Sequence, residues 1–360
     1  MSNTKIMTKI KLGFYPYTYV RVVTMKSKLL KKEDYDKLLK MKPGEIAQYL
    51  QEGDYRDEIN QLAHDFVGAD LVEQAITKNM VRNYAKLKRI ATPELNILIQ
   101  AYLRRADVYN IKTILRSKFA HLDNKATAML PKPVGTYSEV FYQKLLGSEQ
   151  AEGVEGVIKN LDLDEKKKEM LIKSYRETKS LIAFENFLDK QYFEFITTLC
   201  EQIPKEGELF KEFLMYEIDV LNIKLLLRLK VGNITPEDIR KNVCTPGKIL
   251  NKNNLEKFVK LSKFDVDNIL SELEKTELYK VIKPHHKEIA EQGILFNLEV
   301  ALDTWLLKKA TLLLHQHPLT IDTILGYLFA KELETRNLLV ITKGKQLGLA
   351  EEFLGAQLIV

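Results

Sequence analysis

Apolar side chains along this chain recur at helical spacing, and the alternation of a half-buried strand is scarcely found. Val108, Ile111 and Leu115 stand at i, i+3 and i+7 and draw one apolar stripe along a helix. Upstream of them, Thr92 is a favourable N-cap, with Pro93 at the first helical position and Glu94 behind it. No Gly or Pro then interrupts the pattern before about Lys118, which predicts a rod roughly 39 Å long at 1.5 Å per residue. A second long helix is expected from Pro284 to His317, closed by Pro318, and a third from Thr320 until Gly344 caps it. The expected fold class is all-α.

One of these stripes is written twice. DVYNIKTILRSK at 107–118 returns as DVLNIKLLLRLK at 219–230. Asp107, Val108, Asn110, Ile111, Lys112, Leu115 and Arg116 match Asp219, Val220, Asn222, Ile223, Lys224, Leu227 and Arg228 at an offset of 112. Independent features keep the frame: Gly135, two residues after Pro133, returns as Gly247, and Glu73 returns as Glu185 and then as Glu299, with Asp189 and Asp303 behind the later two. A third, worn copy is ELETRNLLVITKGK, in which Glu334 stands for the aspartate, Asn337 keeps the asparagine, Lys343 replaces the arginine and Leu339 occupies the place of the lysine. The chain therefore reads as three helical modules, 1–120, 121–235 and 236–360. Their period is longer than the roughly 20 to 50 residues of common solenoids.

The apolar stripe of the phrase is ordinary helix packing. Lys112, Arg116 and Lys118 lie toward a helix C-terminus, where cations oppose the negative end of the macrodipole. The asparagine is the odd member, since Asn is a mediocre residue in a helix interior. Two readings of it stand: a hydrogen bond to a neighbouring turn, or a contact with a partner.

Composition narrows the class without naming a function. A chain of 360 residues, 45% apolar and 29% charged, has the balance of a soluble globular protein of two or three domains. The net charge of +6 arises from 55 basic and 49 acidic residues, and the one basic run, MKSKLLKK, is too short to argue for nucleic acid. Cys200 and Cys244 are too few for a disulfide framework or a thiolate metal site, which points to a reducing compartment. No apolar run approaches the roughly 18 to 20 residues that span a bilayer, and the N-terminus has no signal-peptide core.

Catalytic chemistry finds little footing. The phosphate-binding, dinucleotide, nucleophile-elbow and zincin motifs are absent from the sequence. His285, His286, His315 and His317 are not spaced to share a helix face and read as helix-end residues beside Pro284 and Pro318. LDLDEKKKEM and LEKTELYK read as solvated faces with ion pairs one turn apart. Tyr15, Tyr17 and Tyr19 around Pro16 are expected to cap a core.

The run YTYVRVVTMKSKLLKKEDYDKLLKM, the phrase GADLVEQAI, both copies of DV-x-NIK-xx-LR and the ending RNLLVITKGKQLGL together resemble the C subunit of the archaeal and bacterial A-type/V-type ATP synthases. That family includes the d subunit of the eukaryotic vacuolar proton pump. The resemblance spans the chain and implies a funnel of three similar helical modules around a pseudo-threefold axis. It implies a place in a central rotor at the cytoplasmic face of the membrane, seated on the proteolipid ring and receiving an axle made of the D and F subunits. Torque would pass there between ATP turnover in the A and B subunits and proton or sodium transport, with no active site, cofactor, metal, nucleic acid or small-molecule substrate of its own. On this reading Asn110, Lys112, Arg116, Asn222, Lys224, Arg228, Arg336, Asn337 and Lys343 are candidates to line the axis where the axle enters; bracing each module internally is the other reading of the same residues. The extension before Tyr17 and the substitution at Leu339 depart from the symmetric pattern. A free-standing helical scaffold for protein or RNA partners is the alternative for the chain as a whole.

Overall fold

A computed structural model describes residues 10–122, 133–147, 153–231, 235–242, 246–260, 266–312 and 316–359. Among these residues every regular element is a helix. Six long helices form three hairpins: α1 (Gly68–Ile90) with α2 (Pro93–Phe119), α3 (Ile182–Gln202) with α4 (Glu208–Val231), and α5 (Phe296–Leu312) with α6 (Ile321–Gln346). The second helix of each hairpin also packs on the first helix of another: α2 on α3, α4 on α5, and α6 back on α1. Contacts between the long helices therefore run in a closed cycle.

Short helices occupy the connections. Glu139–Leu146, Gly153–Asn160 and Glu165–Thr178 lie between α2 and α3, and five more, from Pro236–Asn242 to His286–Gln292, lie between α4 and α5. The corresponding place between α6 and α1 is filled by both chain ends, Glu351–Gln357 packing beside Lys32–Lys40. An apolar core runs through the three hairpins, and a second cluster of Tyr35, Leu38, Ile46, Leu50, Val72 and Ile76 is completed by Leu338 and Ile341 of α6.

The N-cap signals act as expected: Thr92 Oγ1 accepts from Leu95 N at 3.4 Å and Thr320 Oγ1 from Asp322 N at 3.3 Å. Two boundaries differ from expectation. The segment from Pro284 is broken, because helix His286–Gln292 ends at Gly293 in the left-handed region (φ 66°) and α5 starts afresh at Phe296. Gly344 is no cap; it lies inside α6, where a Cβ would fall 2.1 Å from Leu354 Cδ2, so its bare backbone lets Glu351–Gln357 lie close. The chain turns instead at Gly348, φ 71°. His315 and Cys244 fall outside the described residues.

The N-terminal segment crosses the turns of all three hairpins. Leu12 packs beside Ile203 and Ile321 over Gly207, Tyr15 N donates to Leu319 O at 2.7 Å, and Thr18 Oγ1 donates to Ile90 O at 2.8 Å. Tyr15 is buried, as a core cap should be, whereas the helix Pro16–Lys26 turns Tyr17 outward to 66% exposure.

Candidate functional site

The repeated phrase is a set of attachment points. Asp107 accepts from Thr136 N at 2.7 Å and from the Tyr142 hydroxyl at 2.6 Å. Asp219 accepts from the backbone N–H groups of Lys248, Ile249 and Leu250 at 2.9, 2.7 and 2.9 Å. Cβ atoms on Gly135 and Gly247 would fall 2.2 and 2.1 Å from these carboxylates, which is why a glycine recurs at the same offset. The third copy has no glycine at this approach, and its longer Glu334 reaches Leu30 N and the Tyr55 hydroxyl, both at 2.6 Å, while Lys331 Nζ donates to it at 2.6 Å.

The asparagines Asn110, Asn222 and Asn337 are all buried. Asn337 shows the local role, its amide donating to Ile359 O at 2.7 Å and accepting from Ile359 N at 3.2 Å. Lys118 and Lys230 donate to Leu146 O and Val259 O at 2.7 and 2.9 Å, capping the ends of short helices. Arg336 stands apart, donating to Gln357 O at 3.3 Å, with burial holding its guanidinium below the usual range.

The remaining cations bridge hairpins. Lys112 meets Asp189 at 2.6 Å, and Arg116 grips Glu185 through Nε and Nη2, both at 2.7 Å. One repeat later, Lys224 meets Asp303 at 2.6 Å and Arg228 grips Glu299 through two contacts of 2.6 Å. The cycle closes with Lys343 on Glu73 at 2.9 Å. The missing lysine at Leu339 is matched by Thr77, which stands where the other two helices have aspartate, so that pair is lost on both sides. Arg116 holds the Glu185 carboxyl below its usual range, while burial lifts Asp189 above its own despite Lys112. Both members of the repeat were legible in sequence; that the carboxylates of one hairpin pair with the cations of another was not, because spacing carries no information about proximity.

Two turns before Lys112, Arg105 meets Glu217 of α4 at 3.0 Å and also Glu332 of α6. These are equivalent positions of the three repeats, offset by 112 and by about 115 residues. The Arg105 guanidinium lies 4.1 Å over the Tyr102 ring, whose hydroxyl donates to Glu332 Oε2 at 2.8 Å. Beneath them Phe329 packs 4.7 Å from Tyr102 and 4.2 Å from Phe213, sealing the meeting point of α2, α4 and α6. Sequence comparison of the repeats missed this cluster because Arg105 differs in charge from its counterparts Glu217 and Glu332.

Exposure grows along that face. On α2, Leu98 and Tyr102 are 0% and 1% exposed, the Arg105 side chain 26% and Tyr109 58%. Arg116 and Arg228 reach 59% and 61% in their side chains, and Arg116 is near enough to act as a like charge on Arg228. The arrangement offers a charged, increasingly exposed face above an apolar floor; among the described residues none of its groups is set as a nucleophile with a base.

The histidines sit at helix ends as expected: His286 Nε2 lies 2.8 Å from Asp267 and His317 Nδ1 2.8 Å from Asp322. Burial pushes the Cys200 thiol up to about 12. No helix among the described residues is long and apolar enough to cross a membrane.

Comparison with known proteins agrees with this architecture. Residues 18–357 match the family model described as ATP synthase (C/AC39) subunit. The chain is 33% identical over 351 residues to the A-type ATP synthase C subunit of Methanosarcina mazei, covering 96% of this chain and 93% of that one. It is 31% identical to the C subunit of the Archaeoglobus fulgidus A-type ATP synthase over 96% of both chains, and 28% identical to that of Methanocaldococcus jannaschii over 98% and 88%. With nearly its whole length matched, the chain belongs to the ATP synthase (C/AC39) subunit family.

Proposed function

We propose that this chain is a non-catalytic rotor part of an A-type ATP synthase, a funnel of three modules, 1–120, 121–235 and 236–360, around a pseudo-threefold axis. The observation that carries the reading is the cycle of ion pairs Arg116–Glu185, Arg228–Glu299 and Lys343–Glu73, in which each module grips another and the last grips the first. A closed body of this kind suits a part that turns as a unit. The axle made of the D and F subunits meets the charged face, and the opposite side rests on the proteolipid ring at the cytoplasmic membrane face, coupling indirectly to the A and B subunits.

Load favours the same reading. Moving one charge through 100 mV yields about 2.3 kcal/mol, whereas a domain is stable by only about 5 to 15 kcal/mol. Repeated torque must therefore be spread over several rigid elements, and long helices tied at three seams provide them. Of the nine polar repeat residues, Lys112, Lys224, Arg336 and Asn337 are engaged inside the chain and Asn110 and Asn222 are buried, so contact with the axle falls first to the exposed ends of Arg116, Arg228 and Lys343.

Tagging the chain in its native cell, solubilising membranes in mild detergent and identifying the eluate by mass spectrometry tests the proposal. Co-recovery of the A, B, D and F subunits with the proteolipid supports it; recovery of soluble proteins or RNA alone would replace it with the scaffold reading.

A further inference from the structure

We infer that the Arg105–Glu217–Glu332 cluster is a receptor for one basic side chain, lysine or arginine, carried by the end of the protein that docks on the charged face. The inference rests on the axle reading above and adds the chemistry at its floor.

Charge is the first argument. The repeat carboxylates higher on the wall each have their own cation: Glu185 has Arg116, Asp189 has Lys112, Glu299 has Arg228, Asp303 has Lys224 and Glu73 has Lys343. At the floor two carboxylates share one guanidinium. Glu217 and Glu332 together are therefore one positive charge short.

Unused hydrogen-bonding capacity is the second. Glu217 Oε2 and the Tyr192 hydroxyl are buried without a hydrogen-bond partner, in side chains only 7% and 2% exposed as residues. Tyr192 lies within electrostatic range of Glu217, Arg105 and Glu332. Buried polar groups are nearly always paired, and an idle carboxylate oxygen is the costlier kind to leave. A water molecule would satisfy the hydrogen bonds but not the charge. An ammonium or guanidinium satisfies both.

Access is the third. The Glu332 and Arg105 side chains are 31% and 26% exposed, so the cluster opens to solvent at its Glu332 edge while Tyr102, Phe213 and Phe329 close it beneath. A bare metal ion fits less well, because the Arg105 guanidinium already stands against both carboxylates.

The test uses the full chain and the axle formed by the D and F subunits of the same organism, with binding measured by calorimetry at two salt concentrations. Glu332→Gln, at a partly exposed position, is expected to fold as the parent does and to bind the axle about tenfold or more weakly, since one of the two carboxylates is lost. Glu217→Gln is expected to act in the same direction, and Lys173→Gln, on the short helix Glu165–Thr178, to change affinity less than about threefold. Alanine replacement of each basic residue at the axle tip should find one whose effect vanishes in the Glu332→Gln background. If the parent binds and Glu332→Gln binds equally well, the receptor is refuted while axle docking stands. If the parent itself does not bind, the functional reading fails with it.

Discussion

Lys343, near the end of the last long helix, places its ammonium 2.9 Å from the Glu73 carboxylate in the first. The contact repeats the relation of Arg116 to Glu185 and of Arg228 to Glu299, and it makes a linear chain topologically circular in its contacts. Where the other two seams have a bidentate guanidinium and a second pair, this one has a single lysine. Buried bonds from Glu334 to Leu30 and Tyr55 hold it instead.

Reversing one seam charge should therefore be mild and repairable. Arg228→Glu places like charges together at a largely exposed site and is expected to cost about 1 kcal/mol, lowering the melting temperature by about 2 °C. Glu299→Arg in the same chain should restore most of the loss. Calorimetric melting of the two single variants and the double variant checks this; purely additive losses would show that the pair is not coupled.

Gly247→Ala should be far more damaging than its size suggests. The new methyl would meet Asp219 Oδ1 and the Met215 carbonyl, displacing the loop that donates three backbone N–H groups to that carboxylate. An overpacking cost of about 1 to 3 kcal/mol is expected, read as a lowered urea midpoint. Gly44→Ala, with open space around the site, is the control.

Asp219 also sets a pH dependence. Burial lifts its carboxyl from 3.8 to about 6, outweighing the backbone donors that act in the opposite direction. An acid whose folded-state pKa is raised binds more protons folded than unfolded, so its contribution to stability falls as pH rises from about 4 to about 6 and is flat beyond. The stability difference between the parent and Asp219→Asn should shrink across that window by at most about 3 kcal/mol, seen in denaturant midpoints at pH 4, 5, 6 and 7. A difference that grows with pH would contradict the raised value.

Much of this organisation was legible in the residues. Asp107 and Asp219, Lys112 and Lys224, and Arg116 and Arg228 announce the repeat because equivalent positions do the same work and keep the same side chain. The floor cluster was illegible for the converse reason: three equivalent side chains meeting at one point cannot all carry the same charge, so Arg105 stands opposite Glu217 and Glu332 and comparison by identity conceals the match. Gly344 misled because glycine serves two ends, a left-handed turn or a close approach. Only the position of Leu354 tells which applies.

Deleting residues 1–14 should loosen the hairpin turns without dissolving the helices. Leu12 leaves Ile203, Gly207 and Ile321, while Tyr15 and Thr18 keep their bonds to Leu319 and Ile90. Faster amide exchange is expected at 203–207 and 319–321, with little change at the centres of α2 and α4. Uniform protection across those turns would deny the segment a fastening role.

Because the block between α6 and α1 is built from both chain ends, its apolar cluster waits for the ribosome. Tyr35, Leu38 and Ile46 emerge roughly 300 residues before Leu338 and Ile341, which complete their cover. Contacts so distant along the chain form late, and a nascent chain must carry this open surface through the synthesis of everything between. A product broken off before Leu338 keeps it open for good, which marks incomplete chains for chaperones and proteases before they can reach an assembly.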